Sequence, residues 1–174
     1  MLINRTHPFD ANRLKEIELV PVRNTAGTAF LLEKQTAEAF LKMQEDMKEQ
    51  GLILEIEDGY RSREEQIRIM ESITAEEGAE AAAARCAPPG ASEHETGLAL
   101  DITYDLKFGP LVMRWNPVFA EYGFIERYPE GKEEITGYIP ESWHLRYVGR
   151  EHSIPIEQQR ITLEEYLEQR EAEH

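Results

Sequence analysis

The chain is poor in cysteine, short of basic residues and without any long apolar run. Cys86 is the one cysteine among 174 residues, so an intramolecular disulfide is excluded. It lies in a loop with no Cys–His motif around it, and because many exported proteins also lack disulfides, cysteine usage does not choose a compartment. Lys and Arg number 19 against 34 Asp and Glu, a net charge of −15. So acidic a surface repels phosphate backbones and anionic membranes, which argues against nucleic acid as a partner and leaves solubility as the plainest role of the charge. No stretch approaches the roughly 20 apolar residues of a membrane span. The opening MLINRTHPFD is polar and has no apolar core of a signal peptide. The expected compartment is the cytoplasm, or the cell envelope if a leader has been removed. Repeats and heptads are missing and no large apolar patch is evident, so a monomer is expected.

What is present suffices for a folded domain. Hydrophobic residues make up 41% of the chain, enough for one core without disulfides. We expect a single domain over 1–174, with 1–30 as an irregular N-terminal arm packed on it and a short strand near 19–22. Thr36, Phe40, Met43 and Met47 recur at helical spacing, which predicts a helix over 33–50 stopped by Gly51. Alternating apolar and acidic residues predict a strand over 52–57. Ser62 with Glu65 forms a capping box that opens a helix to about residue 72, and Thr74 with Glu77 predicts a second box opening an Ala-rich helix. Strands are expected over 97–103, 124–127, 135–139 and 144–148. A short helix is expected over 117–122, and one capped by Thr162 and Glu165 over 163–170. Helices come early and strands late, which predicts an α+β fold with a central antiparallel sheet packed by helices on one side.

Two segments carry candidate chemistry, Ser92–Asp101 (SEHETGLALD) and Glu141–Tyr147 (ESWHLRY). Asp101 falls between Leu100 and Ile102, where a carboxylate is costly unless it is paired or bound to a metal. His94 precedes that strand, and His144 arrives on another. Two imidazoles and a carboxylate are zinc ligands, and three protein ligands leave the fourth position open, as in catalytic sites. Glu141, three residues before His144, is placed to act as general base on a metal-activated water. Plainer readings stand beside these. Asp101 also reads as a turn cap or as a partner for an Arg, and His7, His152 and His174 are ordinary surface or core histidines. His94-Glu95 begins like the HExxH motif, but Leu98 stands where its second His belongs. Arg61, after the Asp58-Gly59 turn, suits an oxyanion or a carboxylate and equally suits a salt bridge.

The segments GYRSREEQ (59–66), APPGASEHETGLALDI (87–102), YGFIERYPEGKEEITGY (122–138) and ESWHLRYVG (141–149) together resemble the zinc D-alanyl-D-alanine carboxypeptidases of the VanY type. Those include the bifunctional VanXY enzymes and are related more distantly to VanX dipeptidases and hedgehog domains. The resemblance implies a hedgehog/D-Ala-D-Ala peptidase-like fold and a Zn2+ cofactor. It implies hydrolysis of the terminal D-Ala-D-Ala bond of peptidoglycan stem peptides or precursors. His94, Asp101 and His144 match its zinc ligands, Glu141 its base, and Arg61 the arginine that steadies the tetrahedral intermediate. Ser92 and Gln66 match residues that contact the substrate's terminal residue, and Trp143 would shape the pocket wall. An L,D-carboxypeptidase on tetrapeptide stems, a D-Ala-D-Ala dipeptidase or a bifunctional enzyme would use the same site. A non-catalytic hedgehog-like zinc module is the alternative from another class. The chain departs from the family's common HQTG at Glu95 and from its EPWH at Ser142. Glu95 is expected to add negative charge near the site.

Overall fold

The computed structural model describes residues 1–104 and 116–173. His174, the expected surface histidine of the tail, lies outside them. The arm is more regular than expected. It holds a 3-10 turn, Ala11–Glu16, then a hairpin of β1 (Leu19–Arg23) and β2 (Ala29–Glu33), and runs directly into helix α1 (Lys34–Glu49). The Glu33 carboxylate caps α1 by accepting from the Thr36 N–H. At the other end Gly51 takes φ +81°, with Gly51 N–H on Lys48 O and Leu52 N–H on Met47 O, which closes a Schellman motif.

The centre is a four-stranded antiparallel sheet made of β3 (Leu54–Asp58), β4 (Ala99–Tyr104), β5 (Phe124–Tyr128) and β6 (Glu141–Tyr147), in spatial order β3–β4–β6–β5. One face is apolar. Phe40, Met43 and Met47 of α1 pack there on Leu54, Ile56, Leu100 and Leu145. Burying each such side chain contributes about 1.5–3 kcal/mol. Strand alternation sends Asp101 and His144, the neighbours of Leu100 and Leu145, to the opposite face.

Helix α2 (Arg63–Glu77) starts at the Ser62/Glu65 capping box, as the sequence predicts, but it runs through Thr74. The second predicted box is therefore inside α2. The chain breaks instead at Gly78, φ +92°, and α3 (Ala79–Arg85) follows with no side-chain cap. Helix α4 (Asn116–Glu121) precedes β5. Residues 135–139, predicted as a strand, begin within a helical turn, α5 (Glu133–Thr136), closed by left-handed Gly137. Helix α6 (Arg150–Gln159) was not expected, and α7 (Leu163–Ala172) starts at the predicted Thr162/Glu165 box. These last helices alter the expected one-sided packing. Ile125, on the other face of β5 from Phe124, meets Ile156 of α6 and Leu163 and Tyr166 of α7. No helix among the described residues is long and apolar enough to cross a membrane.

Two glycines let β2 approach the backbone at Gly59 and Gly97. A Cβ on Gly59 would lie 2.6 Å from the Leu31 carbonyl oxygen, and one on Gly97 (φ +71°) 2.8 Å from the Glu33 nitrogen. Tyr60 N–H donates to Leu31 O, and Glu33 N–H to Gly97 O. The hairpin is thus a backstop for both loops that feed the candidate site.

Candidate active site

Sheet register creates the site. Asp58 lies opposite Asp101, and Asp101 opposite His144, so three polar residues form a row across β3, β4 and β6. Residues directly opposite in an antiparallel pair share a face. Bulges between Ile56 and Asp58 and between Glu126 and Tyr128 re-aim the strand ends at this row. His94 enters from above, on the 3-10 turn Glu93–Thr96, which Gly97 reverses into β4.

The two histidines are held differently. His94 Nδ1 is 2.6 Å from the Gly59 carbonyl, so Nδ1–H donates there and Nε2 faces Asp101 Oδ1 at 3.4 Å. His144 turns its Nδ1 to the same oxygen, at 3.0 Å. Ligand atoms of His94, Asp101 and His144 all lie within 4.8 Å of one another. Ligands of a tetrahedral zinc at about 2.0–2.1 Å stand roughly 3.3 Å apart, so the donor types and their separations fit such a cation. The Gly59 carbonyl fixes the His94 tautomer in the way that outer partners of metal-bound histidines do.

Charge is concentrated here. Burial raises the Asp101 carboxyl pKa, but the charge on His94 and the hydrogen bond from His144 outweigh it and hold that pKa well below the usual range. Burial opposes charge on His144, yet its hydrogen bond to Asp101 and the nearby Glu93 carboxylate push its pKa up to about 9 in the metal-free protein. Glu141, at the start of β6, has its pKa raised by burial, and the Asp101 charge adds to this against His144 and Arg61. Arg61 is fixed by three partners. Nε is 2.8 Å from Asp58 Oδ2, Nη1 3.3 Å from Gln66 Oε1, and Nη2 3.4 Å from Asp101 Oδ2.

All eight residues singled out in the sequence line one cleft of about 160 Å³. Ser92 is buried in its wall, whereas Trp143 remains 42% exposed at its edge. Gln66 is fully buried. Its amide donates to Ala87 O and Cys86 Sγ and accepts from Arg61, which leaves the second lone pair of Oε1 as its one free hydrogen-bonding position. Glu95, by contrast, does not line the cleft. Its carboxylate accepts from Arg63 Nε (2.9 Å) and from the Gly90 N–H (2.5 Å), so the negative charge expected near the site is paired with Arg63 outside the cleft lining. His7 is exposed, and His152 bonds the Tyr166 hydroxyl, away from the cleft. A larger hollow of about 620 Å³, beside Leu41 and Ile53, contains none of the eight residues.

Sequence reasoning missed other members of the cleft, and three of them bear on its electrostatics and packing. Tyr128 stacks beside His144 with ring centroids 5.0 Å apart, Arg85 reaches in from the end of α3, and Glu93 is completely buried beneath His144. Glu93 sits next to a proposed ligand in the sequence, but no spacing rule separates it from the many surface glutamates.

Comparison with known proteins places this geometry. The family model for VanY, D-alanyl-D-alanine carboxypeptidase, matches residues 29–150. The chain is 40% identical over 146 residues to the putative carboxypeptidase YodJ of Bacillus subtilis (strain 168), covering 79% of this chain and 54% of that protein. The chain thus spans only about half of that relative. It is 36% identical over 182 residues to the bifunctional D-Ala-D-Ala dipeptidase and D-Ala-D-Ala carboxypeptidase VanXYC of Enterococcus gallinarum, covering 95% of this chain and 91% of that one. The crystal structure of the vancomycin resistance D,D-pentapeptidase VanY, an E175A mutant in complex with Zn(II), superposes with a TM-score of 0.82 at 34% identity, covering 96% of this chain and 97% of that one. The chain belongs to the VanY family of D-alanyl-D-alanine carboxypeptidases.

Proposed function

We propose that this chain is a zinc-dependent carboxypeptidase that hydrolyses the terminal D-Ala-D-Ala bond of peptidoglycan stem peptides or their precursors. The observation that carries this reading is the convergence of the His94, Asp101 and His144 ligand atoms within 4.8 Å, in one cleft with Glu141 and Arg61. His94 Nε2, an Asp101 carboxylate oxygen and His144 Nδ1 would hold the ion. When bound, zinc supplies a Lewis acid that polarises a carbonyl and acidifies water.

The protein's own groups do the rest. Glu141, its pKa raised by burial, is a stronger base than a free glutamate. Its carboxylate takes the proton of the attacking water and then delivers it to the departing amino group. The fork of Arg61, held by Asp58 and Gln66, offers donors to the carbonyl oxygen as negative charge develops there. Ser92 and Trp143 shape the space for the terminal residue, and so small a cleft favours a small one such as alanine. A base and an oxyanion donor beside three ligands support an enzyme over a zinc-holding binding module, which needs neither.

Glu141→Ala tests this reading. The variant should bind zinc while kcat falls by about 10²–10⁴. Full peptidase activity in the variant would defeat the assignment. Comparing D-alanine release from pentapeptide, tetrapeptide and free dipeptide separates the D,D-carboxypeptidase from L,D-carboxypeptidase and dipeptidase activity.

A further inference from the structure

Beneath His144 the structure contains an arrangement that the reaction itself does not use. Glu93 is a fully buried carboxylate on the 3-10 turn. Two buried arginines from neighbouring strands, Arg127 of β5 and Arg146 of β6, both donate to the same oxygen, Oε1, at 2.8 and 2.7 Å. Arg127 is itself locked by a forked pair of bonds to Glu164 of α7, at 2.9 and 2.6 Å. The Arg pairs therefore account for Oε1 and leave Oε2. That oxygen faces His144 Nε2 at 3.5 Å. Both atoms are buried, and neither has a hydrogen-bond partner among the described residues. Two buried polar atoms that face each other and have no other partner are costly unless they serve one another.

We propose that Glu93 is a positioning residue that fixes the tautomer of His144, and this rests on the zinc site proposed above. Oε2 accepts the Nε2–H of His144, so the lone pair is kept on Nδ1, the nitrogen that faces Asp101 and would meet the ion. Glu93 does for His144 what the Gly59 carbonyl does for His94, with the nitrogens exchanged. The chain Glu164–Arg127–Glu93–His144 also ties α7, which lies beyond the segment matched by the family model, to a proposed metal ligand. A role confined to pairing the arginines would need no oxygen turned toward His144.

The test combines the parent protein with one variant. Zinc-loaded, 15N-labelled parent protein is examined by long-range 1H–15N correlation. The expected result is a slowly exchanging proton on His144 Nε2 with Nδ1 as the ligand nitrogen. In Glu93→Gln the two arginines claim the amide oxygen and turn the NH2 group toward Nε2, so a donor faces a donor. Zinc affinity, measured by competition with a fluorescent chelator, should fall about 10–100-fold. A proton on Nδ1 with Nε2 as the ligand overturns the proposal, as does a folded Glu93→Gln variant of unchanged zinc affinity. If the variant does not fold, the tautomer of the parent decides alone. A parent that binds no zinc removes the metal site and this inference together, whereas full zinc affinity with the opposite tautomer removes only the role of Glu93.

Discussion

Gly97→Ala should damage the site through the backbone, without touching a proposed ligand. Gly97 takes φ +71°, where an L side chain costs about 1–2 kcal/mol. Its new Cβ would stand 2.8 Å from the Glu33 nitrogen and 2.8 Å from Leu19 Cδ2. The leucine can swing aside, but the nitrogen belongs to the backbone that bonds Gly97 O. Relieving that overlap adds about 1–3 kcal/mol, as overpacking does. The total, about 2–5 kcal/mol, corresponds to a fall in Tm of roughly 4–20 °C for a domain of this size. Because His94 and Asp101 flank this turn, the relaxation should also separate their ligand atoms. Differential scanning calorimetry with and without zinc measures both effects, since the stabilisation by zinc should shrink along with the apo Tm. A variant with the parent's apo Tm and the parent's zinc stabilisation would refute the close-approach reasoning.

The metal-free protein should show a proton linkage at His144. Its pKa is raised from 6.5 to about 9, so the charged form contributes stability that is fully present below pH 6.5 and lost as pH rises through about 9. Binding a cation at Nδ1 displaces that proton, so zinc affinity should rise with pH up to about 9 and then level; calorimetry in buffers of different ionisation enthalpy that finds no proton release at pH 7.5 would contradict this. Arg61→Lys loses the fork that spans Asp58, Gln66 and Asp101, and kcat should fall about 10²–10³-fold with zinc retained, as read by steady-state kinetics and metal analysis. Glu95→Gln should leave the ratio of pentapeptide to tetrapeptide turnover unchanged, because Arg63 and Gly90 occupy that carboxylate away from the cleft.

The sequence made the helices with strong local signals legible. The apolar face of α1 and the boxes at Ser62 and Thr162 depend on contacts within a few residues. Readings failed where local signals competed. Thr74 and Glu77 have the spacing of a box, but nothing breaks the helix before Gly78, where a left-handed residue does. The β2 segment runs without a break into α1, which hid the strand, and Pro155 inside α6 masked a helix whose Ile156 packs on Ile125. A carboxylate in an apolar strand demands a partner, which made Asp101 legible as a candidate, and the family resemblance joined it to His94 and His144. Glu93 was not, because its environment exists only once β5 and β6 bring Arg127 and Arg146 to one point.

D-alanine release from a pentapeptide ending in D-Ala-D-Ala, followed before chelation, after chelation and after zinc is restored, decides whether this cleft is a zinc carboxypeptidase site. Release that the chelator abolishes and zinc restores is the expected result. Release that survives complete removal of metal, or its absence from a protein loaded with one equivalent of zinc, would contradict it.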